Sequence, residues 1–281
     1  MAMENMNSNS LTTTYKQFRD GRPMTARERV RYLVLELATL LNKPKFSNQP
    51  SVVFMAFHYL FEDNEKEFNE LLATLASEFN FLTVSEAIHG LEEGNLQGNN
   101  MCFTSDDGFK SNIKAGEILK EYGASCCFFL CPEFIGQTDV SRVTRINKES
   151  LGGPPIEFMN WDDIDFLLKS GHEVGNHTLE HIMLSNATEN EMRLQIEGAH
   201  EKLTKYCGPV RHFAAPYGHS LSFDARAVAI VKNLRYDSFF TTKRGEHFAD
   251  TEDAEILKMR HHFEPYWPAD HTRFFIYRHL K

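Results

Sequence analysis

From Ser51 onward, short apolar runs alternate with stretches whose apolar residues recur at helical spacing, and this constrains the fold more than any other feature of the chain. SVVFMAF (51–57) reads as a strand, NEKEFNELLATLASEF (64–79) as a helix, FLTV (81–84) as a short strand and SEAIHGLEEG (85–94) as a helix. NNMCFTS (99–105) and SCCFFLC (125–131) are further strands, separated by the helix SNIKAGEILKEYG (111–123). A helix at 160–171 precedes the buried-looking HEVGNHT (172–178), and a long helix at 190–208 precedes the strand VRHFAAPYG (210–218). A helix at 222–235, strands YDSFFTTKR (236–244) and AEILKMRHHF (254–263), and a closing helix at 271–281 complete the series. Strands joined by helices rather than by hairpin turns pair in parallel. Seven or eight such units predict an α/β fold whose sheet closes, or nearly closes, into a barrel.

The flanking regions differ. Residues 1–23 are polar and expected to fray, and 24–44 has the period of an amphipathic helix ending before Pro44. We therefore expect an N-terminal tail and helix over 1–49 and one main domain over 50–281. The N-terminus lacks a charged start followed by an apolar core, and no apolar run approaches the ~20 residues that span a bilayer. The expectation is a cytoplasmic protein without a transmembrane segment. A net charge of −9 argues against a surface that tracks nucleic-acid phosphates. The five cysteines lack the paired spacing of a thiolate zinc site and are expected as buried free thiols. The long connection 138–159 sits where a substrate loop or lid is usually found.

Polar residues cluster where the predicted strands end. Asp106 and Asp107 follow MCFTS, His177 and His181 follow HEVGN, and Pro216-Tyr217-Gly218 follow RHFAA. In an α/β barrel these carboxyl ends face one cleft, where active sites assemble. HTLEH (177–181) places two imidazoles four residues apart, on one face of a helical turn or helix-like loop. Two imidazoles and one carboxylate of the Asp106-Asp107 pair make a ligand set that leaves positions open for water and substrate. One aspartate would hold the ion and its neighbour would take a proton from water. An H-x-x-x-H pair or an Asp-Asp-Gly turn alone is a weak signal, and it is their combination at successive strand ends that favours a catalytic divalent-metal site.

The order TSDDG, HTLEH and FAAPYG resembles the polysaccharide deacetylase family, also called the NodB-homology group or carbohydrate esterase family 4, over residues 50–265. The resemblance implies a distorted (β/α) barrel with an N-terminal helical extension, and hydrolysis of an N-acyl group, acetyl or formyl, on a sugar. It implies a divalent cation, commonly zinc, with cobalt, nickel or manganese as alternatives. Position by position, it implies Asp106 as base, Asp107, His177 and His181 as metal ligands, and Thr178 as support for the loop. The Tyr217 N–H would stabilise the oxyanion. The general acid of the family is a histidine on a late strand. Here His261 and His262 alternate in direction, and His262 is favoured, with His58 as rival acid or substrate contact.

Two departures stand out: Ser105 replaces a usual Phe, and Ala214 stands where many members carry an Arg that orients the catalytic aspartate. Arg211 and Arg260 are candidates for that role, and Arg260 also counts among the substrate or oxyanion contacts. Trp161 and Trp267 are candidates for lining a sugar cleft. The expected partner is an acylated sugar, nucleotide-linked, lipid-linked or oligosaccharide, in surface-polysaccharide, O-antigen or capsule synthesis. Alternatives are a catalytically silent carbohydrate-binding barrel, a metal-dependent hydrolase of a non-sugar amide, and phosphoryl chemistry, for which no phosphate-binding Gly-rich loop is present.

Overall fold

A computed structural model of the chain describes residues 11–20, 25, 26, 29, 30, 32–35, 48–248 and 256–278. Among these, the sheet contains β1 (Ser51–Phe57), β2 (Asn80–Phe81), β3 (Asn99–Ser105), β4 (Cys126–Leu130) and β5 (Glu173–Asn176), followed by β6 (His212–Ala214), β7 (Ser238–Phe240), β8 (His247–Phe248), β9 (Leu257–Lys258) and β10 (His261–His262). The main path runs β10-β1-β3-β4-β5-β6-β7-β9. Every neighbouring pair along it is parallel. The terminal strands β9 and β10 are separated in the chain by Met259 and Arg260 alone, so the two edges of the sheet lie side by side and the barrel is nearly closed.

Alternation along the strands builds two apolar layers. Val52, Phe54, Cys102, Cys127, Phe129, Ala214 and Phe240 fill the interior, with Val84, Ala87, Ile88 and Leu91 of α3 (Val84–Glu93) packed against them. The opposite parity, including Val53, Met55, Met101, Phe103, Phe128 and Phe213, packs outward against the helices. Gly175 is required here, because a Cβ would lie 2.3 Å from the Phe129 ring. Further helices are α1 (Tyr15–Arg19), α2 (Glu65–Ala76), α4 (Asn112–Glu121), α5 (Val140–Glu149), α6 (Trp161–Lys169), α7 (Glu189–Cys207), α8 (Ala225–Asn233) and α9 (Ala269–Tyr277). Side-chain caps set several starts: Thr83 and Glu86 form a capping box on α3, and Thr188 and Glu191 do the same on α7.

Some expectations are corrected. The strand expected over 254–263 is two short pieces, because the chain turns at Arg260 to send that side chain into the barrel mouth; residues 254 and 255 lie outside the described residues. The connection 138–159 contains α5, started by the Asp139 side chain. Residues 11–20 are not frayed. The Asp63 carboxylate accepts from the N–H groups of Tyr15 and Lys16, and Thr12 N–H donates to Pro155 O at 2.7 Å. Of the helix expected over 24–44, residues 26, 29, 30 and 32–35 are helical, residue 25 is described and not helical, and the others lie outside the described residues. Four of the five cysteines are buried and all are free.

Candidate active site

The inward parity of the strands continues past their carboxyl ends. His58 follows β1, Asp106 follows β3 and His177 follows β5, and all three line one cavity of about 150 Å³. Adjacent residues on an extended strand would face opposite sides, yet Asp107 lines the same cavity as Asp106. The reason is its left-handed backbone, φ 74°, which breaks the alternation and brings both carboxylates to the mouth. Thr178 (φ 66°), His181 (φ 56°) and Tyr217 (φ 61°) adopt the same sterically costly region. Neighbouring side chains fix these turns: Asn176 Oδ1 accepts from Thr178 N–H at 2.8 Å, and Thr178 Oγ1 accepts from His181 N–H at 3.1 Å. At Gly218 (φ 60°) a Cβ would lie 2.9 Å from Thr242 N, so only glycine lets the Tyr217 turn close on the end of β7.

Asp107 Oδ1 lies 3.6 Å from Nε2 of His177 and 3.6 Å from Nε2 of His181. Each gap is too long for a hydrogen bond, and Asp107 Oδ1 is buried without a partner. Two ligands held ~2.1 Å from one tetrahedral ion stand ~3.4 Å apart, close to the observed spacing. The tautomers agree with that reading. His177 Nδ1 donates to Ala214 O at 2.8 Å and His181 Nδ1 donates to Ser150 O at 3.2 Å, so both Nε2 lone pairs are left for an ion. Burial, the largest influence, pulls both imidazoles down to about 4, which keeps them neutral and able to ligate. The donor set therefore fits a divalent cation.

Asp106 is held differently. Arg260 Nη1 and Nη2 donate to its two carboxylate oxygens at 2.7 and 2.9 Å. The guanidinium is 1% exposed, donates to Thr104 Oγ1 and Thr241 O, and lies over the rings of Phe129 and Phe240. Burial alone would raise the Asp106 carboxyl, but the charge and hydrogen bonds of Arg260 hold it well below the usual carboxylate range. Asp107, with no such partner, is raised by burial. Arg260 thus orients Asp106, the role for which Ala214 offers no side chain. Arg211 pairs with Asp237 on the surface and takes no part.

The far wall carries a residue that the sequence reading missed. Glu264 is 3% exposed, and its Oε1 accepts from His58 Nδ1 at 2.8 Å and from His262 Nε2 at 2.9 Å. Burial alone would lower His58, but the hydrogen bond and charge of Glu264, joined by Asp107 and Asp106, push it up to about 9. These three side chains are close enough to hold an ion, yet each ring already spends one nitrogen on the same oxygen, which is the geometry of a carboxylate orienting two imidazoles. His262 lines the cavity, whereas His261 is buried and turned to Gly245 O. The available signal for Glu264 was its i+2 spacing from His262, which places both on one side of the chain. Trp267 reaches the cleft; Trp161 stacks on Tyr206, and neither of these two lines it.

The family model for polysaccharide deacetylases matches residues 93–239. The chain belongs to the polysaccharide deacetylase family, the group with NodB homology. A chitooligosaccharide deacetylase from Azorhizobium caulinodans is 31% identical over 120 residues, covering 41% of this chain and 46% of that protein, so the match spans about half of the relative. IcaB from Ammonifex degensii superposes with a TM-score of 0.65 at 20% identity, covering 81% of this chain and 97% of that one. The Streptococcus pyogenes deacetylase PplD, solved in complex with acetate, gives a TM-score of 0.62 at 16% identity, covering 85% and 100%. At these identities the two structures bear on the fold alone. The family match includes both aspartates, His177, His181 and Tyr217, but not His58, Arg260, His262 or Glu264. Among the described residues no helix is long and apolar enough to cross a membrane.

Proposed function

We propose that the chain hydrolyses the N-acyl group of an amino sugar in a reaction that depends on a divalent cation, zinc being the first choice. The observation that carries this reading is the unpartnered Asp107 Oδ1 facing the Nε2 atoms of His177 and His181 at equal distance. A cation bound by these three residues supplies Lewis acidity toward the acyl carbonyl and acidifies water.

The chain's own groups do the rest. Asp106, ionised and fixed by Arg260, accepts the proton of the attacking water. Among the described residues the Tyr217 N–H has no acceptor, and it donates to the developing oxyanion. Tyr217 Oη is tied to Ser150 O, which holds that turn beside the ligand His181. On the opposite wall the imidazole pair on Glu264 holds the proton that the leaving amine needs. His262 is the nearer analogue of the family's late-strand histidine, and His58 supports it. A catalytically silent barrel was motivated by the missing Arg, and Arg260 removes that support.

The test is metal analysis of the purified protein, coupled to an acetate- and formate-release screen over acylated sugar nucleotides, lipid-linked sugars and oligosaccharides. Stoichiometric divalent metal and acyl release from an amino sugar are expected. Release of phosphate, or turnover confined to non-sugar amides, overturns the reading.

A further inference from the structure

The turn that links His177 to His181 is neither helix nor strand, so its backbone N–H groups have no regular partners. Each of them nonetheless has an acceptor. Those of Thr178 and His181 are served from nearby in the chain, by Asn176 Oδ1 and Thr178 Oγ1. The other two are served by one residue of another element. Gln195 of α7, 6% exposed, accepts from Leu179 N–H through its backbone carbonyl and from Glu180 N–H through Oε1, both at 3.0 Å.

The Gln195 amide has one orientation. Its Nε2 donates to Glu180 Oε2 at 2.9 Å, so Oε1 faces the N–H of that same residue. Gln195 and Glu180 thus clasp each other through side chain and backbone, 15 residues apart in the chain. The next residue of α7 acts on the same turn: Ile196 O accepts from Asn176 Nδ2 at 3.0 Å, which directs Asn176 Oδ1 to Thr178 N–H. Tyr236 Oη accepts from the same Nδ2 at 2.8 Å. Residues 195 and 196 therefore govern the N–H groups of Thr178, Leu179 and Glu180, directly or through Asn176.

This hold matters because the turn does not sustain itself. Thr178 and His181 adopt left-handed torsions, which persist only where the surroundings over-determine them. His177 is anchored on neighbouring elements, its N–H on Leu130 O and its Nδ1 on Ala214 O. His181 is reached through the turn, its N–H donating to Thr178 Oγ1. The separation of 3.6 Å between His181 Nε2 and Asp107 Oδ1 thus depends on the turn, and the turn on Gln195.

We propose that Gln195 is a positioning residue for the cation site, setting the turn that brings His181 to where it shares an ion with His177 and Asp107. The proposal rests on the divalent-cation reading above and adds a residue that does not line the cavity.

The experiment uses full-length protein, stripped of metal and titrated with cobalt(II), whose visible absorption reports coordination geometry. The cobalt Kd is measured by competition with a chelator at neutral pH. Gln195→Met keeps the length of the side chain without its hydrogen bonds. Its Kd should rise roughly tenfold or more, as for loss of an outer partner of a metal ligand, with altered absorption. Gln195→Glu keeps an acceptor but opposes two carboxylates, and should weaken binding as well. Adding Glu180→Gln to Gln195→Glu exchanges donor and acceptor, and should return Kd and absorption toward wild type. Leu203→Ala, a buried truncation about two turns along α7, should lower stability without moving either readout. Amide hydrogen exchange over 177–182 in the metal-free proteins reads the turn itself, and should be faster in Gln195→Met than in wild type or Leu203→Ala.

Wild-type cobalt affinity and absorption in both Gln195→Met and Gln195→Glu overturn the proposal. So does a loss of affinity in Leu203→Ala equal to that in Gln195→Met, or a double variant no better than Gln195→Glu alone. No cobalt bound by the wild type, with exchange still faster in Gln195→Met, rejects the cation reading and supports the hold on the turn. Cobalt bound by the wild type, with exchange unchanged in Gln195→Met, does the reverse.

Discussion

Arg260 grips Asp106 through both terminal guanidinium nitrogens, across 154 residues of sequence and from the turn that separates β9 from β10. Both side chains are buried. Removing one partner of such a pair leaves an uncompensated charge, which typically costs ~3–5 kcal/mol.

Arg260→Met should therefore lower stability to denaturant by about that amount and reduce kcat by roughly a hundredfold or more, as for loss of a preorganised charged contact. The acid limb of the pH–rate profile should move upward, because Asp106 loses the charge that holds its carboxyl low. In the wild type the folded carboxyl titrates below its unfolded counterpart, so the stability from this pair is present above pH ~4 and disappears as pH falls further. A variant with wild-type pH–rate behaviour would reject the orienting role.

Asp107→Ala, His177→Ala and His181→Ala should each lose the bound divalent ion together with activity. Asp106→Asn should retain the ion while turnover falls by roughly 10²–10⁴, the span of general base catalysis. Elemental analysis of each purified variant separates the two outcomes, and full activity in Asp106→Asn would remove the base assignment.

Retention of the ion in acid follows from the ligand histidines. Burial pulls both down to about 4, so protons compete for their Nε2 atoms only near that pH rather than near the usual imidazole value of ~6.5. Dialysis at stepped pH, followed by metal analysis, should show the ion held at pH 6 and released closer to 4. Half-release near 6.5 would contradict it.

Glu264→Gln should shift the alkaline limb of activity downward. His58 owes a value of about 9 to Glu264 above all other raising influences, and an amide lacks that charge. Its folded value lies above the unfolded one, so its stabilising contribution is complete below pH ~6.5 and fades as pH rises through 9. In the variant this fading begins earlier. We expect kcat to fall roughly tenfold or more with metal content retained, and KM to change less, measured over pH 6–10.

Much of this was readable before any coordinates. Strand–helix alternation is a local, periodic signal, and it located β1, β3 and β4 almost to the residue. The residues at the strand ends followed from that, since a parallel barrel gathers its carboxyl ends on one face. Arg260 could be named but not placed, because its partner is set by closure of the sheet rather than by any local pattern. Glu264 carried less signal still: one carboxylate among many, made significant by two imidazoles that converge from β1 and β10. The segment 11–20 was misread because its polar composition hides Tyr15 and Phe18, whose partial burial depends on rings far along the chain, Tyr59, Phe61 and Tyr266.

Four side-chain-bearing residues around the candidate centre, Asp107, Thr178, His181 and Tyr217, sit in left-handed torsions that cost ~1–3 kcal/mol each. No short peptide copying their sequences would hold that shape unaided, so the candidate cation site belongs to the nearly closed barrel and not to any transplantable motif. The segment 11–20 carries no such torsional debt, since none of its residues adopts the left-handed region, and its hold on the barrel rests instead on hydrogen bonds to Asp63 and Pro155.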